Sequence, residues 1–144
     1  MWFKRFIAGV SSGIFSGVIL GLILAAFEEI SGKRVYTLLL NIDFIPWLSR
    51  WSGNMWIEWV LHMTVAVSIG CIHVLLTEIY KWPDVLSASA LTVIALFMYI
   101  PLSTLALGPA PSLIDGMAWG LWFLGHLCFC VSLIWSSRSS VKNA

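Results

Sequence analysis

The sequence predicts an all-α integral membrane protein, a four-helix bundle with a longer interfacial connection between helices one and two. Three observations predict it. Of the 144 residues, 60% are hydrophobic and only 10% charged, whereas a soluble domain carries about 25% charged residues. Four apolar runs each approach the roughly 20 residues that a spanning helix needs. A ladder of glycines four residues apart runs along the first of them, a pattern typical of helices that pack closely in lipid.

The first span covers residues 6–27 and stops at Glu28-Glu29. Lys4 and Arg5 precede it, as in a signal peptide, but the run is longer than the roughly 7–15 residues of a cleavable apolar region. It is read as a retained helix. The second span, 55–79, ends at Tyr80-Lys81-Trp82-Pro83-Asp84, the third, 86–107, in Gly108-Pro109-Ala110-Pro111, and the fourth, 117–135, at Ser136-Ser137-Arg138. Together they form one transmembrane domain, 1–144. The connection 28–54 is mixed in character: its runs Tyr36-Thr37-Leu38-Leu39-Leu40 and Phe44-Ile45-Pro46-Trp47-Leu48 are too short to span. It is expected to lie along the membrane surface or fold back over the bundle, with room for a short amphipathic helix.

Four spans place both termini on one side. Lys4, Arg5, Lys81, Arg138 and Lys142 fall on that side, and Lys33, Arg34 and Arg50 on the other. The excess of basic residues predicts cytoplasmic termini. A net charge of +1 without a basic stripe excludes nucleic acid as a partner. The expected partners are the lipid bilayer and either a second copy of the chain or another membrane protein.

In lipid, helices associate through close van der Waals approach, which small residues permit. Gly9, Gly13, Gly17 and Gly21 form the ladder, with Ala25 continuing it and Ser12 and Ser16 beside it. At 3.6 residues per turn the ladder drifts by about 40° per step, which favours a crossed contact. It serves either packing within the chain or docking of a partner. Gly116, Gly120 and Gly125 are a weaker set in helix four. Pro101 breaks the bonding of helix three; a neighbouring helix, or Ser103 and Thr104 locally, is expected to satisfy the freed carbonyl.

Ionisable residues inside spans usually face a bundle interior. Glu58 and His62, four apart, share a helix face, and His73, three turns on, shares it too. Asp115 and His126 stand in the same relation on helix four. At about 1.5 Å per residue, His62 lies roughly 10 Å and His126 roughly 14 Å from the outer ends of their helices. A bundle that gathers Glu58, His62, Asp115 and His126 makes a polar core opening outward, with His73 in the inner half. Three readings compete for it: histidines that hydrogen-bond between helices, a proton-responsive or proton- or solute-conducting site, or a metal site of two histidines and a carboxylate. The spacing lacks HExxH and any compact ligand set, so no metal and no cofactor are expected. No nucleophile elbow, phosphate loop or dinucleotide motif is present, and no enzyme activity is expected. Cys71, Cys128 and Cys130 lie in apolar runs and read as small buried hydrophobes.

The order of several features resembles the YagU-like and YqhR-like bacterial membrane proteins. A glycine-rich first helix ends in Phe27-Glu28-Glu29, with Arg34 following. A second helix carries His62, Ser68 and Gly70. A proline-containing third helix leads to a proline-rich turn, and the last helix carries Gly125-His126-Leu127-Cys128-Phe129. Gly32-Lys33 stands where that pattern has paired prolines, His73 where it has a tyrosine, and Trp122 where it has a carboxylate. The resemblance implies a bacterial inner-membrane protein of four helices and supplies no reaction. On these grounds the chain is expected to be a non-enzymatic membrane protein that senses or passes protons or a small solute through its polar core. The alternative is a structural or accessory subunit docking a partner through the glycine ladder.

Overall fold

The computed structural model describes residues 2–142, with side chains to residue 140. Lys142, counted above among the basic residues, therefore has no described side chain. Among the described residues the fold is all-helical: α1 (Trp2–Ser31), α2 (Val35–Leu39), a 3-10 turn (Ser49–Trp51), α3 (Met55–Glu78), α4 (Asp84–Phe97), α5 (Tyr99–Leu105) and α6 (Gly116–Lys142). Four helices are long and apolar enough to cross a membrane: α1, α3, α4 with α5 as one broken span, and α6. The helices outrun the apolar stretches that announce them; α1 begins at Trp2 and α6 runs on past the Ser136-Ser137-Arg138 stop.

The four spans run up and down, in a ring in which α1 packs on α3 and α6, and α4 packs on α6 and α3. Ion pairs mark one end of the bundle. Arg5 lies 3.7 Å from Glu78, and Arg138 2.7 Å from Asp84, so the start of α1, the end of α3, the start of α4 and the end of α6 meet there.

Burial follows the physics of lipid rather than of water. Gly9, Ser12, Gly13, Ser16, Gly17 and Gly21 of α1 are buried, while Phe6, Ile14, Phe15 and Leu22 on the same helix are exposed. Leucine gains nothing by leaving lipid, so the interior goes to residues that let backbones approach. The two faces of α1 are used differently. The glycine ladder meets α3: a Cβ on Gly13 would stand 2.6 Å from the Ala66 carbonyl oxygen and from Val67 Cα, and one on Gly9 2.8 Å from Cys71 Cα. The adjoining face, with Leu20 and Leu24, meets Gly125 of α6. The ladder is thus occupied within the chain, and no partner reaches it without displacing α3. Gly70 completes the crossing from the other side, its Cα pressed against the Gly9 and Gly13 backbone. The Ala66-x-x-x-Gly70 pair is the sequence signal of this crossing. Gly116 and Gly120 have open space where a Cβ would go.

The connection between α1 and α3 folds back over the bundle. Gly32 ends α1 with φ +70, its amide on the Glu28 carbonyl at 2.8 Å, the left-handed turn that glycine permits at a helix C-terminus. Glu28 then clasps Thr37, accepting from its amide (2.8 Å) and hydroxyl (2.6 Å). Val35, Leu38, Leu40 and Ile42 are buried beneath this cover. Asp43 accepts from the Leu107 and Gly108 amides at 3.0 and 2.7 Å, tying the connection to the turn before α6. Its helical part is only five residues long.

The third span breaks at Met98, three residues before Pro101. The carbonyl of Leu96 is taken by the indole N–H of Trp122 on α6, at 3.0 Å, so a neighbouring helix supplies a donor at the break. Thr104 bonds the carbonyls of Ile100 and Pro101, not that of Phe97, which the proline ring leaves without its usual donor.

Candidate functional site

The three histidines occupy two separate settings. His62 leaves α3 toward α1 and lies 3.0 Å, through Nε2, from the Gly17 carbonyl oxygen. A carbonyl only accepts, so Nε2 carries the proton. The bond exists because the ladder brings the α1 backbone this close. Trp59 stands edge-on to the ring, centroids 5.6 Å apart, and donates its own N–H to the Tyr36 hydroxyl at 2.7 Å.

His126 is 3% exposed. Its Nδ1 donates to the Trp122 carbonyl one turn back, at 2.9 Å, and its ring lies against the Trp122 indole with centroids 4.5 Å apart. Trp122 continues to Tyr99 (5.7 Å), and Tyr99 to Trp119 (4.0 Å). Tyr99, fully buried, donates to the Ser112 carbonyl at 3.1 Å. His62 lies near enough to act electrostatically on His126. No further hydrogen bond engages His62 Nδ1 or His126 Nε2 among the described residues.

His73 lies in the other half, fully buried, between α4 and α6. Its Nδ1 is 3.0 Å from the Ser87 hydroxyl and its Nε2 3.1 Å from the Ser137 hydroxyl. Ser137 gives its own proton to the Ile134 carbonyl, so it accepts from His73 Nε2–H, and Ser87 donates into Nδ1. Three helices are joined through one imidazole. The Asp84–Arg138 pair lies near enough to act on it electrostatically.

Glu58 and Asp115 make no hydrogen bond to any of the three rings. Glu58 does not turn to His62; it accepts from the Gly53 amide at 2.7 Å, beside Asn54, whose side chain caps α3. Asp115 does not bond His126. It caps α6 through the Ala118 amide at 3.1 Å and accepts from the Lys33 ammonium at 2.7 Å. That ammonium first, and the Ala118 amide second, hold its carboxyl below the usual carboxylate range. Asp115 meets a free backbone donor at a helix N-terminus and Glu58 sits in the first turn of one, where a carboxylate is favoured. Helix-face arithmetic overlooked this competing demand. The expected cluster of Glu58, His62, Asp115 and His126 therefore reduces to the two histidines. His73 belongs with serines that sequence spacing could not select.

Among the described residues, no group of three or more His, Cys, Asp or Glu side chains is placed to hold a metal ion. Cys130 is buried as expected, whereas Cys71 is half-buried and Cys128 is exposed. Compared with family models, curated proteins and solved structures, the chain matches none.

Proposed function

We propose that this chain is a non-enzymatic, multi-pass protein of the bacterial inner membrane, with cytoplasmic termini, serving as a structural or accessory subunit. The observation that carries this reading is the disposition of its polar groups. Each imidazole bonds a helix carbonyl or a serine hydroxyl, and the carboxylates of Glu58 and Asp115 are spent on backbone amides at helix starts and on Lys33. Polar side chains placed in this way hold helices in register. General acid–base chemistry instead needs a carboxylate and an imidazole converging on one reacting atom.

The orientation rests on five basic residues at the end carrying the termini against three at the other. The features shared with YagU-like and YqhR-like proteins support the same address. With the ladder filled by α3, docking moves to the outward faces, of which the Gly116–Gly120 edge of α6 is one. Extraction in native-lipid particles tests the role. A complex larger than the 16.0 kDa chain, lost in Gly116→Leu/Gly120→Leu, supports it. A monomer in native lipid contradicts it.

A second reading, proton response or passage, is favoured by one observation: His62 and His126 are electrostatic neighbours, each with a ring nitrogen left over. Proton flux in liposomes decides it. Flux abolished in His62→Phe/His126→Phe establishes passage, and flux unchanged ends that idea.

A further inference from the structure

A groove opens where the glycine ladder stops. Along the seam, Gly21 meets Trp59, Gly17 meets Met63 and Ala66, Gly13 meets Ala66 and Val67, and Gly9 meets Cys71. Each step of four on α1 is matched by four in the opposite sense on α3. The next rung is Arg5, opposite Leu75. A long cationic side chain stands where the previous four rungs had none. A groove of about 230 Å³ lies there between the start of α1 and the end of α3, walled by Trp2, Phe6, Cys71, Ile72, Leu75 and Ile79 and bordered by the apolar stem of Arg5.

Apolar walls and a cation at one end match a phospholipid. The Arg5 Nε lies 3.7 Å from the Glu78 carboxylate, beyond hydrogen-bond length, so its donors are not consumed by that pair. A guanidinium has five donors in a planar fork that fits a phosphate through two parallel bonds. Trp2 in the wall is the residue type that settles at headgroup level. The surrounding charge selects the lipid further. Among the described side chains this end of the bundle carries Lys4, Arg5, Lys81 and Arg138 against Glu78 and Asp84, and basic pockets between spanning helices favour anionic headgroups.

We propose that this groove binds one anionic phospholipid, an acyl chain lying between Phe6 and Leu75 and the phosphate resting on Arg5. The inference requires a membrane-embedded chain and is independent of which role that chain performs. It is tested by native mass spectrometry of protein released from mixed micelles holding equal phosphatidylglycerol, phosphatidylethanolamine and phosphatidylcholine. The wild type retains phosphatidylglycerol about tenfold over the other two, the scale of one charge-assisted pair. Arg5→Gln reduces that ratio to about one while the unfolding midpoint stays in place. Leu75→Trp, which fills the groove and keeps Arg5, releases the bound lipid. Equal retention of the three lipids overturns the proposal. So does a preference for phosphatidylethanolamine held by Glu78, or an unchanged preference in either variant. Recovery of the chain in the aqueous phase without detergent would overturn the membrane reading as well.

Discussion

The half of the bundle holding His62 and His126 and the half holding His73 solve one problem by different means. A buried imidazole must bond something. His73 is held by side chains of two other helices, with Ser87 and Ser137 on its two nitrogens. His62 and His126 each use a single backbone carbonyl, one across the α1–α3 seam and one within its own helix. The hydroxyl cage joins α3 to α4 and α6, so removing it should loosen three helices. The carbonyl-bound histidines together supply one interhelical bond, from His62 to Gly17. The difference teaches that depth in the membrane does not rank these histidines; the number of helices each one ties together does.

The sharpest way to break the comparison is Gly13→Leu. The new side chain meets the Ala66 and Val67 backbone, which cannot turn aside. Forced overpacking of this kind costs about 3 kcal/mol. Unfolding titrations should show that loss, and the His62–Gly17 bond should go with it while the His73 cage persists. Gly116→Leu, entering open space, should change stability by less than about 0.5 kcal/mol.

The histidines themselves come next. His73→Phe removes two interhelical bonds, and polar bonds between membrane helices average about 0.6 kcal/mol and reach about 1.7. A loss of about 1–2 kcal/mol is expected from that scale. His62→Phe removes one such bond and should cost about 0.6 kcal/mol. His126→Phe removes only a bond to its own helix and should cost less than either. An equal loss at all three positions would erase the contrast between the two halves.

The smallest effect separates acid response at the bundle end from any in its interior. The Asp115 carboxyl is held down by Lys33. A carboxyl with a depressed folded pKa stabilises the fold above its unfolded value and loses that contribution as pH falls through the folded one. The unfolded value is about 3.9, so the Lys33–Asp115 contribution is intact from neutral pH to about 4 and fades below it. Lys33→Met should therefore be less stable than wild type at neutral pH, with the gap closing in stronger acid.

The four spans were legible because membrane thickness imposes a run length that composition reveals. The ladder was legible as a packing stripe, and Gly70 would have named its partner had the Ala66-x-x-x-Gly70 spacing been read alongside it. The fate of Glu58 and Asp115 was half legible. Each sits within a few residues of a helix start, and the demand of free amides there outweighs a shared face with a histidine. The partners of His73 were not legible. Ser87 and Ser137 lie 14 and 64 residues away, and only the ring order of the helices brings them to one imidazole. The break at Met98 fell one turn before the proline that causes it, because proline disturbs the bonding of the turn behind it.

The claim beneath the proposed role is that the deep histidines are neutral ties between fixed acceptors rather than one half of an acid–base pair. Nitrogen-15 NMR of histidine-labelled protein in lipid at pH 7 tests it directly. The geometry predicts three neutral rings, protonated on Nε2 at His62 and His73 and on Nδ1 at His126. An imidazolium at either His62 or His126, or a proton on the wrong nitrogen of either, would contradict it.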